Sequence, residues 1–326
     1  MPRIPLSMNL LRVALIAMIV VLFEPPWRVA SAQAFRVEEP VRLQVDNEVT
    51  KFVHFYREAT ASSMSADERW VLWQKDYGLA AVPPTPMGQT LAHRQLDAVW
   101  DRYAPLIPKL PALTSHAQAL AAPTLSAIAA LFGEHQTPTI NLILFVGQFD
   151  NNAFAGAMRN NSPTVYLPVE MTDADVALAH EFAHAVHRQV GHLANGYLAP
   201  IGETMLMEGI AMQAAQQVRP NHPETAYTPA TVYGSAWLRT CQVNTREILE
   251  GIAPDLESTN AETVAKFTYG KGTTGLNDEL YCAGWVLVKH LLTHGHTFQE
   301  LVRVPEASLT SLARSAMTDL AVRSHP

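Results

Sequence analysis

The sequence predicts an α+β fold that is mostly helical and contains a small β-sheet. Apolar residues recur at helical spacing over residues 45–56, 66–77 and 93–103, and proline-rich breaks lie at residues 83–86 and 105–111. Further along, two short apolar runs rich in β-branched and aromatic residues predict strands at residues 140–146 and 164–167. Two more helical patterns follow these runs, so the second half of the chain contains both kinds of element.

The amino terminus has the pattern of a cleavable secretory signal peptide. Arg3 and Arg12 precede an uninterrupted apolar run, Val13–Phe23, and Ala30-Ser31-Ala32 offers a cleavage site of small residues. The run is shorter than the roughly 18 apolar residues that a membrane span needs. We therefore expect residues 1–32 to be removed after Ala32. The protein is then secreted or periplasmic, without stable insertion into a membrane.

The mature chain is expected to have a helical N-terminal region at residues 33–137 and an α+β domain at residues 138–326. Hydrophobic residues make up 48% of the 326 residues and charged ones 16%, with a formal net charge of −7, as in globular proteins. The sequence contains no basic tract, no glycine-rich phosphate loop and no GxSxG motif. We therefore expect no nucleic-acid partner. The sequence leaves the oligomeric state open, and it allows the N-terminal region to act as an inhibitory segment.

Residues 180–184, which read HEFAH, lie within a predicted amphipathic helix. Thr172 is the expected N-cap, with Asp175 in the capping-box position, and Gly191 is the expected end of the helix. The apolar stripe of this helix recurs at steps of three or four residues and consists of Val176, Ala179, Ala183, Val186 and Val190. The HEFAH residues therefore lie in the middle of a helix that packs on a core.

On such a helix His180 and His184 lie one above the other, because positions i and i+4 share a face. Two imidazole nitrogens at this spacing can bind one zinc ion. In zinc hydrolases the metal lowers the pKa of water to about 7, and a nearby carboxylate accepts its proton. The intervening acid, Glu181, is the candidate for that general base. The pattern thus predicts a zinc-dependent hydrolase.

A catalytic zinc ion commonly has three protein ligands, so one more residue is needed. The metzincin pattern, with glycine and histidine at fixed positions after the second histidine, fails because His187 and Val190 occupy those positions. A carboxylate from a following helix is the other common choice. Residues 201–216 predict such a helix, and Glu203 and Glu208 both lie in it.

The HEFAH motif followed by Met207-Glu208-Gly209-Ile210-Ala211 resembles the gluzincins. It is most similar to a family of zinc-dependent proteases long filed as a domain of unknown function. Two other segments are similar to the same family, Asn141–Gly147 and Tyr281–Trp285, so the resemblance covers about residues 138–292. It implies a zincin-like catalytic domain with an active-site helix pair, in which Glu208 is the third zinc ligand. Gly209 would let the two helices approach closely.

The sequence departs from thermolysin-like gluzincins at one position. Those enzymes have an acid four residues after the ligand glutamate to orient a histidine, and this chain has Met212 there. Glu203 is a candidate for that orienting role, or it is a solvated acid in the first turn of its helix.

The oxyanion of a tetrahedral intermediate needs a hydrogen-bond donor in addition to the metal. Tyr281 is our candidate, because it matches a tyrosine in the third similar segment. Tyr233 and His187 are alternatives, and each of the three is equally consistent with a structural role. Between the two predicted strands, residues 151–157 form either a hairpin loop or an edge strand near the cleft, as in zinc peptidases of this type.

Cys241 and Cys282 are the only cysteines. In an exported protein they are compatible with one disulfide, or they are two buried thiols. Taken together, the sequence predicts an exported zinc metallopeptidase that acts on peptides or proteins. The alternatives are a zinc amidohydrolase acting on a non-protein amide and a non-catalytic, peptide-binding scaffold. Cleavage specificity, and endopeptidase or exopeptidase action, are not encoded in these motifs.

Overall fold

The computed structural model describes residues 42–82, 85–134, 138–159, 162–194 and 199–323. The predicted signal peptide at residues 1–32 lies outside these ranges. The described residues form one compact unit. In the part of the chain described, no helix is both long and apolar enough to cross a membrane.

The structure confirms an α+β fold that is mostly helical. The strands are β1 (Arg42–Asn47), β2 (Thr139–Phe145), β3 (Phe154–Arg159) and β4 (Ser162–Pro168). The helices before the second strand are α1 (Val49–Ala61), α2 (Ala66–Asp76), α3 (Pro86–Ala98), α4 (Trp100–Leu106) and α5 (Leu110–Leu131). Those after the fourth strand are α6 (Ala174–Val190), α7 (Ile201–Val218), α8 (Ala230–Tyr233), α9 (Ser235–Val243), α10 (Thr245–Ile252), α11 (Ala261–Thr268), α12 (Glu279–Thr293), α13 (Phe298–Leu301) and α14 (Glu306–Arg323).

The described strands form one mixed sheet in the order β1-β2-β4-β3. β1, β2 and β4 are parallel, whereas β3 runs antiparallel to β4 at the edge. The stretch at residues 151–157 therefore contributes an edge strand from Phe154 onward. That strand packs against α6.

The predicted helix at residues 45–56 was wrong at its start. Residues Val45–Asn47 belong to β1, and the helix begins at Val49. The strand exists because Arg42–Asn47 pairs in register with Thr139–Leu144, a partner almost a hundred residues away. Such a long-range pairing overrides local helical spacing. The helix predicted at residues 66–77 is α2, which Ser65 and Glu68 cap reciprocally.

The core that positions the site is a layer of helices beside the sheet. α7 contacts α6 on one side and α12 on another, and it also contacts α14. α6 in turn packs against α5 and the hairpin of β3 and β4. The apolar stripe predicted for α6 is buried at Val176, Ala179, Ala183 and Val186. Since both faces of this helix pair are packed, side chains on it are held in fixed positions.

The N-cap predicted for α6 was wrong. Asp173, in the left-handed conformation, occupies the N-cap position, and the helix begins at Ala174. Thr172 is not free to cap it, because its backbone N–H and its hydroxyl both donate to Oδ1 of Asn151. Asp175 accepts instead from Nε2 of His222 at 2.8 Å. Gly191 ends the helix as predicted.

Candidate metal centre

Three side chains of α6 and α7 converge on one point. The Nε2 atoms of His180 and His184, one turn apart on α6, are 3.0 Å from each other. Glu208 of α7 places its Oε2 3.3 Å from each of these two nitrogens. All three ligand atoms lie within 4.8 Å of one another, so the structure brings the predicted ligands together.

These separations fit a tetrahedral zinc ion. Zinc binds nitrogen and oxygen at about 2.0–2.1 Å, so two ligand atoms at a tetrahedral angle are about 3.3 Å apart. The distances from Glu208 to the two histidines have this value, and the distance between the histidines is slightly shorter. Two imidazoles and one carboxylate are a donor set of catalytic zinc sites.

The charges around the three ligands favour a cation. Burial by itself raises the pKa of Glu208, but His184 and His180 outweigh it and hold the pKa of this carboxyl below its usual range. Burial lowers the pKa of His180, and the carboxylates of Glu208 and Glu181 outweigh it, so the net pKa is raised. Two carboxylates thus act on the imidazoles, and this arrangement attracts positive charge.

Glu181 is buried on α6, with 8% of its surface exposed. It does not belong to the three-atom ligand group. Its charge acts on both His180 and Tyr281, which places the carboxylate beside the ligand cluster. This acid is therefore next to the ligands without being one of them, as a general base requires.

Tyr281 lies in the first turn of α12, and its hydroxyl interacts electrostatically with two acids of the site. Burial raises the pKa of its hydroxyl well above the ordinary value, and the carboxylates of Glu208 and Glu181 raise it further. The hydroxyl therefore stays protonated at neutral pH, which a hydrogen-bond donor to an oxyanion requires. Of the three donors considered from sequence, Tyr281 is the one that the structure places at the ligand cluster.

The two alternatives are in different environments. His187 is buried one turn after His184, and burial, together with His184 and Arg188, lowers its pKa to about 3. No hydrogen bond to its Nε2 is present among the described residues. Tyr233 is 40% exposed, and partial burial together with the carboxylate of Asp278 raises the pKa of its hydroxyl.

Several contacts hold the first turn of α12, and sequence analysis missed all but the disulfide. The buried carboxylate of Glu279 accepts hydrogen bonds from the backbone N–H groups of Thr273 and Thr274, both at 2.6 Å. Trp237 of α9 donates from its ring nitrogen to the carbonyl of Asn277 at 2.7 Å. A disulfide joins Cys241 to Cys282, next to Tyr281, so the structure has the first of the two alternatives that the sequence left open. These contacts fix Tyr281 relative to the ligands.

Glu203 is buried near the start of α7, away from the orienting role considered for it. Burial and, to a smaller extent, the nearby Glu306 of α14 raise the pKa of its carboxyl to about 7. Within the described residues, neither ligand histidine forms a hydrogen bond with it. Glu203 is 4% exposed, so it is not a solvated acid either.

The sequence of this part of the chain is similar to one known protein family. Residues 152–311 match the model of a family described as predicted Zn-dependent protease (DUF2268). The match spans 160 of the 326 residues, just under half of the chain, and shows a similarity to that family. No curated protein and no solved structure matches the chain.

The matched segment of the chain contains five of the candidate site residues, His180, Glu181, His184, Glu208 and Tyr281. The upstream segment at residues 141–147, which also suggested the resemblance, lies before the match and forms most of β2. The segment at residues 281–285 lies inside it. The family description supports zinc and proteolysis, and the convergence of the three ligand atoms is independent evidence for the metal.

Proposed function

We propose that this protein is a zinc metallopeptidase of the gluzincin type. The observation that carries the proposal is the convergence of His180, His184 and Glu208 at zinc-ligand separations, with the carboxylate of Glu181 beside them and outside the ligand set. A non-catalytic metal site has no need of an additional buried acid at this place. The family description agrees with this function.

A bound zinc ion would act as a Lewis acid at the scissile carbonyl and would lower the pKa of water. Glu181 would accept a proton from the attacking water and then deliver it to the leaving amine. Tyr281 would donate a hydrogen bond to the oxygen that gains negative charge. The anchoring of α12 supports this last role, because a donor is effective only when it is held in place before the reaction.

The edge strand β3 offers a binding surface for the backbone of a peptide. It pairs with β4 on one side and packs against α6, the helix that carries both histidines. A peptide in extended conformation can add to such an edge through main-chain hydrogen bonds. This geometry supports a peptide or a protein as the substrate rather than a small amide.

We also propose that the protein acts outside the cytoplasm, after cleavage of residues 1–32. The disulfide between Cys241 and Cys282 supports export, since disulfides persist mainly in oxidising compartments. Amino-terminal sequencing of protein recovered from the periplasm or the medium tests this. A mature chain that begins at Gln33 is the expected result, and an intact Met1 in a cytoplasmic fraction would contradict it.

The test of the activity combines zinc content with peptide hydrolysis in four proteins: wild type, Glu181→Gln, Glu208→Ala and Glu203→Gln. Elemental analysis is expected to show one zinc per chain in the wild type, Glu181→Gln and Glu203→Gln. Glu208→Ala is expected to lose the zinc. Only the wild type and Glu203→Gln should digest a peptide library.

The outcomes separate the proposal from its rivals. A zinc-loaded wild type that cleaves no peptide but hydrolyses other amides would indicate an amidohydrolase. If the wild type contains no zinc after purification in the absence of chelators, the proposal of a zinc enzyme is overturned and a binding scaffold is favoured. Zinc retained by Glu208→Ala would show that another residue is the third ligand.

A further inference from the structure

A carboxylate and three tyrosines lie together beside the ligand cluster, and the proposed mechanism uses only one of them. Asp278 immediately precedes α12, and Tyr281 lies in the first turn of that helix. Tyr233 ends α8, and Tyr269 follows α11 directly. Segments far apart in sequence therefore supply this group.

Described interactions connect the four side chains to each other and to the centre. The hydroxyl of Tyr233 and the carboxylate of Asp278 are near enough for each to shift the pKa of the other. Asp278 and Tyr269 both act electrostatically on the hydroxyl of Tyr281, as do Glu208 and Glu181. The group is thus continuous with the residues that would bind zinc and activate water.

Two of the aromatic rings are open to solvent. Tyr269 is 76% exposed and Tyr233 is 40% exposed, and both are among the largest apolar groups on the described surface. Val232, next to Tyr233, is 61% exposed. Exposed aromatic side chains beside a catalytic centre are typical of a surface that a ligand covers.

Asp278 carries a charge that the described residues leave unbalanced. One of its oxygens, Oδ1, is buried and has no hydrogen-bond partner among them. Burial raises the pKa of Asp278 and the neutral phenol of Tyr233 lowers it. No lysine or arginine of the described chain contributes to this shift. In contrast, Glu208 and Glu181 have a dipositive metal ion to balance them when zinc is bound. A carboxylate in this position therefore attracts a cation from outside the chain.

We propose that Asp278, Tyr233 and Tyr269 form a subsite for a cationic group of the substrate. This inference rests on the proposed peptidase function and assigns its substrate class. A carboxylate forms charge-assisted hydrogen bonds with ammonium or guanidinium, and tyrosine rings attract the same cations through their faces. In a peptide that group is either a lysine or arginine side chain near the scissile bond or the free α-ammonium.

The experiment measures kcat/KM for pairs of peptides that differ in one group. The first pair has lysine or norleucine near the scissile bond with an acetylated amino terminus. The second pair has norleucine in both members, with a free or an acetylated terminus. Wild type is compared with Asp278→Asn and with Asp67→Asn, a control in which the altered carboxyl is 92% exposed on α2. Asparagine tolerates the left-handed conformation of residue 278, so this variant is expected to fold.

We expect wild type to favour the cationic member of one pair by about tenfold or more, the size of a hydrogen bond to a charged group. Asp278→Asn should lose this preference and Asp67→Asn should keep it. Tyr269→Ala should weaken the preference, whereas Tyr269→Phe should retain it, because the ring face makes the contact. The pair that shows the preference identifies the side chain or the α-ammonium as the group recognised.

Two results would overturn the subsite while leaving the peptidase function intact. They are cleavage by wild type without a preference in either pair, and a preference that Asp278→Asn leaves unchanged. If wild type cleaves no peptide, the proposed function fails. Calorimetry on zinc-loaded Glu181→Gln then decides the subsite separately. Tighter binding of a cationic peptide that Asp278→Asn abolishes would support it, and equal binding of both members would refute it.

Discussion

Gly209 of α7 and Gly284 of α12 are in backbone contact. A Cβ added to Gly209 would lie 2.2 Å from the carbonyl oxygen of Gly284, and one added to Gly284 would lie 2.3 Å from the carbonyl oxygen of Met205. The close approach that Gly209 was expected to allow is therefore with α12, and its nearest neighbours do not come from α6. Glu208 and Tyr281 flank this contact in sequence, so it sets their separation.

Gly209→Ala is expected to destabilise the protein and to reduce its activity. The atoms nearest to the added Cβ belong to the backbone of α12, so they cannot move aside without displacing the helix. Overpacking of this kind costs about 1–3 kcal/mol in the free energy of unfolding, measurable by urea denaturation. Gly191→Ala is the matched control, since its Cβ would meet atoms at 3.0–3.2 Å. An equal loss in both variants would contradict the special role of the glycine contact.

Tyr281→Phe is expected to lower kcat by about one to two orders of magnitude while KM changes little, because the lost hydroxyl acts on the transition state. Zinc content and thermal stability should stay near those of wild type. Tyr56→Phe on α1, far from α12 in the fold, is the control for loss of a tyrosine hydroxyl. A rise in KM at constant kcat would assign Tyr281 to substrate binding instead.

Removal of the disulfide is expected to cost stability. Cys241 and Cys282 close a loop with a sequence separation of 41 residues. The loss of loop entropy in the unfolded chain then corresponds to about 4 kcal/mol. Denaturation of Cys241→Ala/Cys282→Ala with and without reductant measures this. Reductant should destabilise wild type and leave the double variant unchanged, and an insensitive wild type would argue against the disulfide.

Glu203 is expected to make stability depend on pH between about 4.5 and about 7. Its carboxyl has a pKa of about 7 in the folded protein, against 4.5 as the ordinary value. Over this interval the folded state retains a proton that the unfolded state has lost, so the free energy of unfolding decreases as pH rises. Below this interval both states are protonated, and above it both are ionised.

Glu203→Gln should therefore flatten the thermal-unfolding profile between pH 4.5 and pH 7 relative to wild type. Some slope will remain, because burial also raises the pKa of Glu170 to about 7. Glu250→Gln on α10, whose side chain is 62% exposed, is the control and should leave the profile unchanged. A Glu203→Gln profile as steep as that of wild type would show that Glu203 does not titrate in this range.

Sequence patterns were sufficient where the information is local. The position of α6 follows from an apolar stripe within seventeen residues, and the pairing of His180 with His184 follows from helical geometry alone. Glu208 could be chosen over Glu203 only through the family resemblance. In the structure the two acids differ in what their helix faces, Glu208 towards α6 and Glu203 towards α14.

Features that depend on distant partners were missed. The strand β1 is stabilised by a partner beyond five helices, and Thr172 is engaged by Asn151 from another loop. No spacing rule indicates that Asp278 and Tyr233 interact, since they are 45 positions apart. In sequence, an acid directly before a helix is typical of an ordinary helix start, and only the fold shows its interaction with Tyr281.

The parallel pairing of β1 with β2 has a consequence for how the enzyme could be activated. If residues 33–137 were a pro-segment to be cut off and discarded, β2 would lose the neighbour that pairs with it from Thr139 to Leu144. The freed strand would present unpaired N–H and C=O groups, which invite other chains to add to the sheet. A protease that matured by shedding residues 33–137 would therefore become prone to aggregation at the moment it became active. Control of this molecule is better sought in access to the candidate metal centre than in proteolytic trimming.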